Sequence, residues 1–143
     1  MFDEAFMEDC IEEAPKVFLG CDLEVTERQA KLGGFRPDIV GVHQEETWIV
    51  EIQQRALDRI HLYKCLEYRD LLKQRDQTEK IKVVVVCNSI DDKYLPTAKT
   101  HDVEIIAIER QKFVELASQF AQSQLPSSSS GGTSRSSSQS LVL

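Results

Sequence analysis

The rhythm of apolar and polar residues changes along the chain, and each change predicts an element. Over DEAFMEDCIEEA (residues 3–14), Phe6, Cys10 and Ala14 recur at helical spacing against an acidic opposite face, and Pro15 ends or bends that helix. CDLEVTERQ (residues 21–29) alternates Leu23 and Val25 with polar neighbours, as a half-buried strand does, and KLGGF is a turn signal. RPDIVGVHQEETWIVEIQ (residues 36–53) then reads as two strands around a polar turn at His43 to Glu46. A helix is expected from about Ala56 to Gln74.

IKVVVVC (residues 81–87) is a nearly continuous β-branched run, as expected of a central strand covered on both faces. Residues 89–102 contain Pro96 and suit a short helix or loop. VEIIAIE (103–109) is another strand, and Arg110 to Gln122 forms an amphipathic helix with Phe113, Leu116, Ala117 and Phe120 on one face. The order predicts an α/β domain over residues 1–122, a mixed sheet of about five strands flanked by helices. From Ser123 the sequence turns to serine and glycine. Such a composition buries too little apolar surface to offset the entropy of ordering, so 123–143 is expected to be a disordered tail.

Composition narrows the chemistry. With 143 residues, 41% hydrophobic and 29% charged, the chain holds one domain with a real core. Its formal net charge of −7 argues against a general polyanion binder, so any nucleic-acid role needs a local basic patch, a bridging metal ion or a partner. Cys10, Cys21, Cys65 and Cys87 are far apart, without a CxxC pair or zinc spacing, as in reduced, packed thiols. The acidic N-terminus is not a secretory signal and no run reaches membrane-span length, so a cytoplasmic protein without a membrane partner is expected.

One feature of the hairpin conflicts with a plain buried strand. If the turn is His43 to Glu46, Val42 faces Thr47, Val40 faces Ile49 and Asp38 faces Glu51. Residues opposed in this way have Cβ atoms about 4.5–5.5 Å apart on one face. Two carboxylates at that distance repel, and a divalent cation with a preference for oxygen ligands removes the repulsion. Gln53 follows Glu51 by two residues and points to the same face. A register shifted by one residue would instead leave both acids as surface caps of the strand ends, and spacing alone leaves that alternative open.

These residues resemble the signature of the PD-(D/E)xK nuclease superfamily: Pro37-Asp38, a spacer, then Glu51-x-Gln53, with glutamine where lysine normally stands. The resemblance covers roughly the first 72 residues and is nearest to the nuclease domains of archaeal mismatch-specific endonucleases. Those domains begin with a glutamate-bearing helix ending near a proline, matched by Glu4 and Pro15. They continue with a polar pair before a glycine turn, matched by Arg28-Gln29 and Gly33-Gly34. A helix bearing a Gln-x-x-x-Tyr motif comes last, and its positions fall on Lys64 and Tyr68, as if lysine and glutamine had exchanged places.

The resemblance implies a restriction-endonuclease-like core and phosphodiester hydrolysis of nucleic acid, DNA above all. Asp38, Glu51, the Ile52 carbonyl and Glu4 would hold Mg²⁺ or Mn²⁺. Lys64 would stabilise the hydroxide and developing charge, Gln53 would order the water, and Tyr68, Arg36, Arg28 and Gln29 would support the site. The residues also admit plainer roles. Lys64 can extend its ammonium to solvent, Tyr68 can be a core aromatic, and His61 a packing residue. Glu4 can be a helix N-terminal acid, with Glu8 and Glu12 competing for its metal role. A homodimer or larger complex fits a two-strand cut, and an inactive nuclease-fold binding or regulatory module is the alternative function.

Overall fold

The computed structural model describes residues 1–32 and 34–125. Ten elements follow in the order α1 (Glu4–Glu13), α2 (Pro15–Leu19), β1 (Glu24–Arg28), β2 (Ile39–His43), β3 (Glu46–Ile52), α3 (Arg59–Asp76), β4 (Ile81–Cys87), α4 (Leu95–Thr100), β5 (Val103–Ala107) and α5 (Arg110–Ser123). The strands form one mixed sheet in the order β1-β2-β3-β4-β5. The first three strands pair antiparallel, and β3, β4 and β5 run parallel. Most of the serine- and glycine-rich segment, from residue 126 onward, lies outside the described residues.

Helices cover both faces of the sheet. On one side Met7 and Ile11 of α1, Val17 and Phe18 of α2 and Phe113 and Leu116 of α5 close over Ile39, Trp48, Val50, Val84 and Val86. On the other, Leu62, Cys65, Tyr68 and Leu72 of α3 and Ala98 of α4 close over Val40, Ile49, Val83, Val85 and Cys87. Strand β4 contributes to both, which explains its unbroken apolar run: residues 83–87 are all buried.

The first helix differs from its sequence pattern in a way that has a simple cause. Its buried residues are Met7, Glu8 and Ile11, followed by Ala14 at the C-cap, with Phe6 and Cys10 only partly covered at the margin. Met7 and Ile11 share the same i, i+4 spacing as Phe6 and Cys10, so periodicity fits either stripe. Pro15 does more than end α1. It stands at the first position of α2, where its missing N–H costs nothing, and Gly20 closes that helix at φ 82°.

The hairpin turn is shorter than expected and keeps the expected register. Only Gln44 and Glu45 lie outside the strands, both with positive φ (51° and 67°), the backbone of a tight two-residue turn whose twist matches the strands. His43 and Glu46 pair, followed by Val42 with Thr47 and Val40 with Ile49. At the other strand edge, β1 lies close because Gly41 is bare. A Cβ on Gly41 would stand 2.7 Å from the Glu24 carbonyl oxygen and 2.7 Å from Leu23 Cγ. An irregularity between Val25 and Glu27 then shifts the β1 register, and beyond it Arg28 and Gln29 arrive beside Asp38.

Candidate active site

Alternation along the hairpin decides which face the acids take. Val40 and Ile49 face α3, so Asp38 and Glu51, each two residues from one of them, project to the same side. Backbone amides of the facing strands hold both acids. The Asp38 amide donates to Glu51 Oε1 at 3.1 Å, and the amide of Ile52 donates to Asp38 Oδ2 at 2.8 Å. Three polar or charged side chains are buried among the described residues, namely Glu8, Glu51 and Gln53, and all three belong to this neighbourhood.

Glu51 is only 4% exposed. Burial pushes its carboxyl up to about 9, and the nearby Asp38 carboxylate pushes in the same direction, while Lys64 opposes both. Among the described residues no lysine, arginine or histidine forms an ion pair within 4 Å of either acid. Two facing carboxylates, one of them driven towards its neutral form, make a donor set that suits a hard divalent cation. No group of three His, Cys, Asp or Glu side chains converges as a complete cage among the described residues. A cation held here would complete its shell with backbone oxygen, water or substrate.

The remaining acids of α1 divide. Glu8 is joined to Asp38 through Gln29, whose Nε2 donates to Asp38 Oδ1 at 3.0 Å and reaches the two Glu8 oxygens at 3.3 and 3.4 Å. Glu4 instead accepts from the backbone amide of Gln54 at 3.2 Å. Gln29 has φ 53°, which turns its side chain out of the strand and towards the two acids. Arg28 is held within the protein, its guanidinium meeting Glu8 at 2.8 Å, Asp9 at 2.9 Å and Glu12 at 2.8 Å. Desolvation lowers its pKa, but those hydrogen bonds outweigh it and hold the proton more tightly.

Helix α3 supplies the lid over the acids. Its buried stripe is Leu62, Cys65, Tyr68 and Leu72, so Tyr68 is central while Lys64 and His61 sit half-buried on the flank. Tyr68 directs its hydroxyl to the carbonyl of exposed Arg36 at 3.5 Å, and its ring meets Phe35 edge-on. Burial raises its pKa first, with Glu51 and Asp38 adding to the shift. Cys65 is raised for the same reasons.

Gln53 makes a contact that the sequence did not reveal. Its Nε2 donates to Asp58 Oδ2 at 2.8 Å, and its Oε1 accepts from the Asp58 amide at 3.2 Å. Asp58 caps α3, accepting from the His61 amide and lying 2.8 Å from the His61 ring nitrogen. Burial would raise Asp58, but the donors of His61 and Gln53 hold it below the usual carboxylate range. An aspartate immediately before the helical stripe is the N-cap signal that could have located this residue.

A mixed five-stranded sheet with helices on both faces, and an acidic hairpin beneath the first crossover helix, is a restriction-endonuclease-like core. The chain is similar in structure to EndoMS in its complex with double-stranded DNA, with a TM-score of 0.68 at 17% identity over 76% of this chain and 45% of that one. It is also similar to a repair endonuclease from Pyrococcus abyssi, with a TM-score of 0.68 at 21% identity over 77% of this chain and 48% of that one. Apo EndoMS matches with a TM-score of 0.59 at 14% identity over 76% and 46%. The chain therefore spans just under half the length of these proteins, and at such identities the likeness is one of fold. No protein-family model matches the chain. No curated protein matches it either.

Proposed function

We propose that the chain is a metal-dependent nuclease that hydrolyses phosphodiester bonds, with DNA as its substrate class and Asp38 and Glu51 as the principal holders of Mg²⁺ or Mn²⁺. The observation that carries this reading is Glu51 itself: a buried carboxyl facing a second carboxylate, with no cationic side chain paired to either among the described residues. A buried pair of this kind can ionise fully only when something positive joins it. The fold likeness to endonucleases supports the same conclusion.

A divalent cation bound there would polarise the scissile phosphate and lower the pKa of an attached water. The chain's own residues set the rest. Asp38 is fixed by the Ile52 amide and by Gln29, so its oxygens keep one orientation. The Ile52 carbonyl would be a further ligand, and Glu8, through Gln29, reaches Asp38 from α1. Glu4 completes the set of helix acids near the end of β3. Lys64, close enough to act on Glu51, stabilises charge developing on the phosphate. Tyr68 packs beside Glu51 with its hydroxyl on the Arg36 carbonyl, and Gln53 fixes the start of the helix from which Lys64 projects. Arg36, exposed beside the site, is the phosphate contact, whereas Arg28 serves by holding Glu8.

The test is nicking of supercoiled plasmid with Mg²⁺ or Mn²⁺, run beside Asp38→Ala. Metal-dependent nicking lost in the variant supports the proposal. Nicking that persists in the variant, or none with either metal, sinks it. One observation favours a second reading, a nuclease-fold module without turnover: the residue at the usual lysine position, Gln53, has both amide atoms engaged by Asp58. Such a module would bind nucleic acid or serve a larger complex without cutting. A two-fold assembly belongs to the active reading, because a two-strand cut uses two sites. Among the described residues no helix is long and apolar enough to cross a membrane, and the four cysteines are free; a cytoplasmic setting accords with both.

A further inference from the structure

Away from the acidic pair, α3 and α4 enclose a cleft of about 350 Å³. Each helix gives it one stripe: Arg59, Leu62, Tyr63 and Leu66 at i, i+3, i+4 and i+7 of α3, and Lys93, Tyr94, Thr97 and His101 along the approach to α4 and its length. Its volume is at the lower end of the roughly 300–1,000 Å³ usual for small-ligand sites.

The chain carries 24 acidic residues and a net charge of −7, yet no acid lines this cleft, while an arginine, a lysine and a histidine do. Among the described residues the Arg59 guanidinium, the Lys93 ammonium and the His101 ring form no ion pair within 4 Å, so their polar ends are open to a ligand. Asp91 and Asp92 precede Lys93 but are exposed and outside the lining.

Two tyrosine rings stand among the cations. Tyr63 is 57% exposed, far above what a packing role for an aromatic ring requires. The Arg59 guanidinium lies 6.0 Å from its ring centre, and the Lys93 ammonium 5.7 Å from that of Tyr94. Leu62 is buried and Leu66 half-buried, and they form an apolar floor between the rings. Open cationic groups attract phosphate, whereas the exposed Tyr63 ring and the half-buried Tyr94 ring beside an apolar floor offer a stacking surface to a flat heterocycle. An acidic peptide would use the first feature and leave the second idle.

We infer that the α3–α4 cleft is a nucleotide-binding site, in which Tyr63 and Tyr94 stack a base and Arg59, Lys93 and His101 take its phosphate. That the nucleotide is an unpaired unit of the strand being cut rests on the proposed nuclease activity; the site itself does not. Thr97 adds a hydroxyl for the sugar or base edge.

The experiment is fluorescence anisotropy of a labelled eight-nucleotide single strand with the full chain in EDTA, where no metal-dependent cleavage occurs. The expected result is saturable binding that weakens at least about tenfold in the Tyr63→Ala/Tyr94→Ala double variant and in Lys93→Ala. Tyr63→Phe/Tyr94→Phe, which keeps the rings, is expected to bind like the parent. Circular dichroism and melting temperature show whether each variant is folded. Competition by adenosine monophosphate at concentrations comparable to the oligonucleotide assigns the site to free nucleotides. Failure of that competition assigns it to the strand.

The inference is overturned by an absence of binding, by folded variants that bind as the parent does, or by a polyglutamate peptide that binds as tightly as the oligonucleotide. Plasmid nicking, measured separately, keeps the two proposals apart. Binding without nicking defeats only the nuclease reading, and nicking without binding defeats only the cleft.

Discussion

Gln53 and Asp58 are locked face to face. The Gln53 amide nitrogen donates to the Asp58 carboxylate at 2.8 Å, and the Gln53 amide oxygen accepts from the Asp58 backbone at 3.2 Å. A glutamine two residues beyond the site's glutamate therefore fixes where α3 begins. Gln53→Ala is expected to cost about 1–3 kcal/mol of stability, because it removes two hydrogen bonds in a buried setting. Chemical unfolding measures the loss. An unchanged denaturation midpoint would show that the pair contributes nothing.

Lys64 lies on the flank of the same helix, near Glu51 but outside ion-pair distance. Its removal should lower the nicking rate by about 10²-fold or more, the scale on which loss of a charge-stabilising donor acts. Mn²⁺ affinity, read by calorimetry, should remain nearly unchanged. Parental nicking by Lys64→Ala would remove this residue from the chemistry.

The raised carboxyl of Glu51 has a consequence for stability with a definite sign. Between its ordinary value of 4.5 and about 9, the folded chain holds a proton that the unfolded chain has released. Stability from this group is full below that window and is drawn away as pH rises through it, at most about 1.4 kcal/mol per pH unit. Glu51→Gln stays neutral and still accepts from the Asp38 amide. In EDTA its melting temperature should therefore pull ahead of the parent from pH 5 to pH 9, with little difference at pH 5. Parallel melting curves across that range would refute the assignment.

The same proton must leave when a cation arrives. Mn²⁺ affinity should rise with pH by up to about tenfold per unit between pH 6 and 8.5. Calorimetry in buffers of different ionisation enthalpy should detect about one proton released per metal. A pH-independent affinity would mean that Glu51 is not the group displaced.

Much of this architecture could be read from residue pattern. The run Val83 to Val86 identified the central strand because burial on both faces leaves no polar position, and the strand proved to lie between β3 and β5. The hairpin register was legible because His43 to Glu46 is symmetric: a four-residue loop and a two-residue turn give the same partners. Side-chain partnerships were less accessible. Helical spacing admits Phe6/Cys10 and Met7/Ile11 equally, and only tertiary packing buries the second pair fully and leaves the first at the margin. The engagement of Gln53 by Asp58, and of Arg28 by three acids of α1, depends on distances that spacing does not encode.

Gly41, with no side chain, governs the reach of residues it never touches. Because the outer strand can settle against that bare backbone, the glutamine at its far end latches onto Asp38. A single methyl at position 41 would act as a wedge, prising the outer strand away and slackening the latch. One of the contacts that hold Asp38 in line depends in this sense on a missing atom one strand-length away.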